Sequence, residues 1–413
     1  MRNGTPKIWL NISIINLCIV AALGVIMRTK IIFDLPWIDY NLLVDAHGNF
    51  AFTGWVTIAL LTLMLYEFRG IPVHKKVYTW LLGGMALGAW ALLLTSPFAL
   101  THKASEYILF FYTFLTYIFA WRFIADLRKT SAGKTVKTLA VSAVIYMVLS
   151  SAGTIMVAWL FAVKSLNAIL YRDALFGYLH MQYNGFFSLS VFAIAFNKQL
   201  HKMNERAKTN AFRFSVLLSA SIIPSMFITF LWYDSIPAFH IISVLASILL
   251  FITFIWLILT SLSLKHQFKS LIFPVRMLVF LALGAFAVKL LLQSLTLFHT
   301  INILVFGNRS VIMGFLHLVF LGFVTLFLIA YFTQTGVLNI GKPITRWAIY
   351  SFALAVITNE VLLFAQGIGT MITANVLVFN LFLWIAGLML LCGALLVALA
   401  RICSPPCKKI SAC

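Results

Sequence analysis

Charge is scarce in this chain, and acidic charge most of all. Of 413 residues only 10% are charged, and just 10 are Asp or Glu against 30 Lys and Arg. Polar linkers and charged surface segments are missing too, and 62% of the residues are hydrophobic. Mean hydropathy is +1.02. A soluble domain cannot be built from this composition. Cysteine is sparse, with five residues, and no CxxCH motif marks a covalently attached haem. Cys18 and Cys392 fall within apolar runs. Cys403, Cys407 and Cys413 sit in the tail RICSPPCKKISAC, where free thiols or a lipidation site are expected. Proline is also rare, and Pro224 in SASIIPSMF is the one in the interior of an apolar run rather than near its end, where it predicts a kink.

What is present is a series of apolar runs, each long enough to cross a bilayer as a helix. Twelve are expected, over residues 8–28, 43–67, 77–100, 105–125, 136–163, 175–196, 211–233, 237–262, 272–295, 311–333, 346–368 and 374–401. The runs are continuously apolar, whereas a barrel would alternate. The fold class is therefore an all-α integral membrane protein, one polytopic domain over 1–413. The first run follows a short basic start, like a signal peptide, but lacks a clear small-residue cleavage site.

Basic residues give the orientation. Most fall on the side of the N-terminus, among them Arg69, Lys75, Lys76, Lys129, Lys198, Lys202, Lys265 and Lys342. Arg28, Lys30, Lys103, Lys164, Arg172 and Arg309 fall on the other. Both termini are expected in the cytoplasm of a multi-pass protein of a plasma (inner) membrane. The net charge of +20 is then a topology signal, and the bilayer rather than nucleic acid is the expected partner.

A repeat lies inside the apolar runs. HGNFAFTGWVTIAL begins at His47, HMQYNGFFSLSVF at His180 and HLVFLGFVTLFLI at His317. The last two share His, four residues, Gly, Phe, an apolar residue, a hydroxyl residue and Leu. The first has the same phrase two residues later. These histidines are 133 and 137 residues apart, in the second, sixth and tenth runs. One histidine every fourth helix predicts three four-helix units about a pseudo-threefold axis. Each is expected one to two turns from the outer end, about 5–10 Å deep. His240 opens the eighth run near the same level.

Histidine is the commonest ligand of haem iron, copper and zinc. Small residues near it let a flat cofactor approach the backbone. Gly48, Ala51 and Gly54 surround His47, Gly177 and Gly185 flank His180, and Gly314 and Gly322 flank His317. Phe50, Phe52, Trp55, Phe186, Phe187, Phe315 and Phe320 supply an apolar lining. A lone histidine near a helix end would read as a headgroup contact; three in equivalent places read as a cofactor layer. Two ionisable residues lie deeper. Glu360, beside Asn359, is expected to relay protons or hold the structure together, and Lys289 to snorkel outward. Asp45, two residues before His47, points to a different face and is expected at the interface or in a cap.

Twelve helices with histidines in the outer parts of the second, sixth and tenth resemble haem–copper oxidase subunit I, including NnrS-type haem- and copper-containing membrane proteins linked to nitric oxide tolerance. The resemblance implies that His47 and His317 are the axial ligands of a low-spin b-type haem, with Gly54 and Gly314 beside it. It implies copper near His180 and His240. In the family a His-x-His motif precedes the tenth-helix ligand; here Phe315 stands where the first histidine would be. That argues against a high-spin haem and against oxygen reduction. The family's His-His pair has only His240 near its place, and the tyrosine four residues after the sixth-helix histidine is replaced by Asn184. Arg309 and Arg172 are placed to meet haem propionates or headgroups.

The resemblance thus implies a bacterial membrane protein for electron transfer or for handling nitric oxide or another diatomic gas, with an unidentified electron donor. It could be an oxidoreductase, but not a proton-pumping terminal oxidase. A twelve-helix secondary transporter is the alternative, though it would divide into two six-helix halves with a long central loop. A third reading is an oxidase-like assembly or interaction protein.

Overall fold

A computed structural model describes residues 5–68, 70–72, 76–98, 101–231, 233, 236–298, 301–302, 305, 308–371 and 376–403. Arg69, Lys75, Cys407 and Cys413 lie outside the described residues, as do the ends of some expected helices. Among the described residues there is no strand, and Cys18, Cys392 and Cys403 are free thiols.

Twelve long helices follow one another: α1 Thr5–Ile32, α2 Tyr40–Glu67, α3 Lys76–Thr95, α4 His102–Arg128, α5 Lys134–Ala162 and α6 from Ala168–His180 on to Ser188–Gln199. Then come α7 Glu205–Met226, α8 Pro237–Ser263, α9 Phe273–Leu295, α10 Arg309–Gln334, α11 Pro343–Met371 and α12 Val376–Ile402. Among the described residues, eleven are long and apolar enough to span a membrane. The twelfth, α6, carries His180, Gln182 and Asn184 in its middle, which makes it more polar than its neighbours.

The expected starts of α2, α6 and α10 were residues 43, 175 and 311; the helices begin at Tyr40, Ala168 and Arg309. The reason is capping. Asp39, Asn167 and Asn308 each accept hydrogen bonds from backbone N–H groups of the first turn. The caps, and in α6 the charged pair Arg172 and Asp173 one turn in, are polar and lie ahead of the apolar runs. His47 and His317 then lie about two turns in, as expected. His180 lies twelve residues beyond Ala168, more than three turns, because α6 starts early, in a segment whose residues 164–169 are all exposed. The equivalence of the three histidines therefore does not come from distance to a helix end.

It comes from a distortion that all three helices share. In α2 the α-helical pattern widens to a π-helix over Ala51–Thr57, in α6 over Met181–Phe187 and in α10 over Leu318–Thr325. Each segment follows its histidine and contains the glycine of the repeated phrase. A π turn loosens the backbone ladder and is common at functional sites. Displaced carbonyls need other donors in an apolar medium. Asn16 of α1 donates its Nδ2 hydrogen to the Gly54 carbonyl at 2.8 Å, Tyr112 its hydroxyl to the Thr53 carbonyl at 3.2 Å, and Ser188 its hydroxyl to the Tyr183 carbonyl at 2.6 Å. Asn16→Leu, which leaves the buried Gly54 carbonyl without a donor, is expected to cost about 1–3 kcal/mol, read as a lower thermal midpoint.

The three π segments meet at the centre of the bundle. Phe52 stacks on Phe320 at 4.5 Å between ring centroids, and Phe187 meets both edge-on at 5.7 and 5.4 Å. Trp55 donates its indole N–H to the Thr325 hydroxyl at 3.2 Å. α2 is the most enclosed helix, 83% buried over its apolar window, against 28% for α1, α4 and α12 at the periphery. The π segments of α2, α6 and α10 thus share the interior, in line with three four-helix units.

Candidate functional site

One turn outward of the aromatic junction, His47 of α2 and His317 of α10 lie within electrostatic reach of each other. The His47 ring lies against α1, where a Cβ on Gly24 would sit 3.5 Å from its Cε1. Its Nδ1 is buried and has no hydrogen-bond partner of good geometry, and the Val20 backbone of α1 lies within reach of the ring. The His317 Nδ1 donates to the Met313 carbonyl, one turn back, at 2.8 Å. That bond fixes the tautomer and leaves Nε2 with a free lone pair, the arrangement usual for a metal-binding histidine. Arg28, near the end of α1, is within electrostatic reach of both rings.

Gly54 and Gly314 lie elsewhere. A Cβ on Gly54 would come 2.8 Å from the Phe50 ring, so this glycine serves packing within α2. One on Gly314 would meet Leu363 of α11 at 3.5 Å. The glycine that faces a histidine is Gly24, which the sequence reading missed because α1 has no repeat motif. Arg28 was likewise read only as an orientation marker. Arg309 stacks over the Tyr40 ring at 5.5 Å, and Arg172 pairs with Asp173 at 3.8 Å, so both already have partners.

The second metal position is different. His180 is completely buried. Its Nε2 hydrogen goes to the Ile222 carbonyl of α7 at 2.8 Å, with the Ser225 hydroxyl at 3.2 Å, and its Nδ1 accepts from the Asn184 amide at 3.0 Å. Both nitrogens are in use. His240 is half-buried at the start of α8. No group of three or more His, Cys, Asp or Glu side chains that could hold a metal ion exists among the described residues. The donor set at His180 therefore does not fit copper. Phe315, two residues before His317, packs edge-on against Tyr183 at 5.8 Å.

Lys289 corrects an expectation. Its side chain does not snorkel outward; it is 1% exposed, facing the interior of the bundle. Glu360 accepts from Asn359 at 3.2 Å, a local hydrogen bond. Asp45 is not the cap of α2, since Asp39 holds that place. A cavity of about 110 Å³, lined by residues such as Phe192, Phe323 and Tyr331, touches none of the histidines.

Against solved structures, the chain superposes on a haem–copper terminal oxidase, determined by cryo-EM as a dimer, with a TM-score of 0.74. The match covers 98% of this chain and 86% of the oxidase chain at 14% identity. The chain has the oxidase fold. No protein-family model matches it, and no curated protein matches it in sequence. At 14% identity the oxidase likeness speaks to the fold alone. It does set aside the architecture of the transporter alternative, because the polypeptide is arranged as an oxidase subunit and not as two six-helix halves.

Proposed function

We propose that this oxidase-fold membrane protein holds one b-type haem between α2 and α10, with His47 and His317 as its axial ligands. The observation that carries this reading is the pair of rings itself. One has a buried nitrogen without a hydrogen-bond partner of good geometry, and the other is held by Met313 in a ligating tautomer. When bound, the haem would supply one-electron redox chemistry. The chain's part is to place two imidazoles on opposed central helices, seal the floor with Phe52 and Phe320, and bring Arg28 within reach of anionic propionates. Gly24 leaves room for the His47 ring against α1.

Two histidine ligands leave iron no open position, so electron transfer is the favoured role and handling of nitric oxide or another diatomic gas the less direct one. Phe315 and the saturated nitrogens of His180 argue against oxygen reduction at a second metal. The distribution of Lys and Arg supports cytoplasmic termini; the bacterial inner membrane rests on the oxidase resemblance, and the electron donor is still to be identified. The test is the reduced-minus-oxidised optical spectrum of the purified protein beside His47→Ala. A sharp b-type α-band in the wild type, lost in the variant, is expected. Folded wild-type protein without the band would end this reading.

A further inference from the structure

Beyond the aromatic junction the bundle is not closed. The cavity of about 110 Å³ lies among α6, α7, α8, α9 and α10, in the half remote from His47, His180 and His317. Along α10 it runs from Phe323 to Gln334 and along α6 from Val191 to Gln199, a length of about 12–16 Å. That volume over that length makes a narrow slot. Phe192 and Phe323 close its inner end, with their rings 5.5 Å apart. The walls are apolar. Left unfilled, they forfeit dispersion contacts along their whole length.

The other end is polar and charged. Lys198 lines it, with Nζ 5.1 Å from the centre of the Tyr331 ring. Tyr331 is buried, its hydroxyl has no hydrogen-bond partner of good geometry, and Glu67 lies within reach of both side chains. Thr260 is 3% exposed, lines the slot and has a hydroxyl without a partner. Gln199 and Gln334 add two amides. Lys202 is within electrostatic reach of Lys198. Gln267 donates its Nε2 hydrogen to the Lys202 carbonyl at 3.0 Å, which ties the short helix Lys265–Lys269, with a lysine at each end, to the same rim. Against Glu67 stand Lys198, Lys202, Lys265 and Lys269.

We propose that this slot binds one long-chain fatty acid, with the tail between α6, α9 and α10 and the carboxylate at Lys198. The ammonium, the Tyr331 phenol and the glutamine amides supply the donors that a carboxylate accepts from. A phospholipid would bring two chains to a slot with room for one. A neutral amphiphile would leave the positive rim without an anion. In a bilayer the tail gains little by exchanging lipid for protein, so the headgroup contact sets the affinity. Tyr331 lies fourteen residues past His317, about 21 Å along α10, so the site stands apart from the haem reading.

The test uses the full-length protein in nanodiscs of zwitterionic phosphatidylcholine, with a palmitate analogue carrying a photoreactive diazirine near its chain end. Labelling is mapped by mass spectrometry. Saturable labelling of the slot, around Ala282 and Phe323, is expected, displaced by palmitate but not by hexadecanol or phosphatidylglycerol. Lys198→Met is expected to need about tenfold more analogue or beyond, the worth of a charge-assisted hydrogen bond. Ala282→Phe, which puts a ring into the slot at a site only 2% exposed, is expected to lose the saturable labelling. Should that variant fail to fold, Lys198→Met decides alone, since its side chain is at the rim. Labelling that excess palmitate does not displace, equal displacement by hexadecanol or phosphatidylglycerol, or a Lys198→Met protein labelled as wild type is would overturn the proposal. Optical spectra of the same samples report haem content separately, so neither result depends on the other.

Discussion

His317→Ala is expected to lose the low-spin haem spectrum while the protein stays folded, and added imidazole is expected to restore it. The His317 side chain makes one hydrogen bond, to the Met313 carbonyl in its own helix. Its removal should cost only about 1–2 kcal/mol of stability. The optical change should be far larger, a fall of tenfold or more in the sharp α-band, because one of two axial ligands is gone. Truncation to alanine leaves a space of imidazole shape next to the metal position, so millimolar imidazole refills it. Rescue separates a missing ligand from a damaged fold. An unchanged spectrum in His317→Ala would place the ligand elsewhere, and a lost spectrum that imidazole does not restore would mean a structural role. The His47→Ala variant is the natural companion, since the His47 ring packs against α1 and its loss should be harder to refill.

The largest effect on stability is expected from Gly153→Ala. Gly153 lies on α5 where α6 crosses most closely. A methyl group there would run into the backbone carbonyl of Ala174 and come 2.8 and 2.9 Å from Cβ and the backbone nitrogen of Tyr178. Two of those three obstacles are main chain, which cannot swing aside as a side-chain tip can. Relief requires the helices to separate, at a cost of about 3 kcal/mol or more. Little folded protein, or a thermal midpoint lower by several degrees, is the expected outcome. Gly284→Ala is the control. Nothing lies within 4 Å of its added Cβ, and alanine is the better helix former, so no loss is expected. Similar midpoints for the two variants would show that α5 and α6 are free to adjust.

How much of this was legible beforehand varies with the kind of signal. Twelve long helices followed from hydropathy, and eleven of them, among the described residues, are long and apolar enough to span a membrane. The equivalence of α2, α6 and α10 followed from a phrase of five residues around Gly54, Gly185 and Gly322. The helix starts did not follow, because Asp39, Asn167 and Asn308 are polar and sit ahead of the apolar runs they cap. Nor did the partners contributed by α1. Gly24 and Arg28 reach the histidines through tertiary packing, with no local pattern to announce them. Lys289 was misread for a related reason. A lysine six residues from a helix end can reach the headgroups when it faces lipid, and only the helix's rotation in the bundle decides whether it does. His180 shows the opposite limit. Its spacing within the repeat marks it as equivalent to His317, but Asn184 and the Ile222 carbonyl use the nitrogens that a metal would need.

The π segments also act as phase shifters. An α-helix turns by about 100° per residue, so a helix that spends one extra residue in a turn is rotated by about that angle beyond it. Before the π segment α2 buries one side, Leu43, Ala46 and Phe50, whereas from Phe52 through Leu65 it is buried all round. A wheel drawn through the whole helix would blur two faces into one. The outer half of each central helix can therefore turn its histidine inward while the inner half is oriented independently for packing. The same helix thus serves chemistry near one membrane face and cohesion near the other, with the glycine phrase as the joint between them.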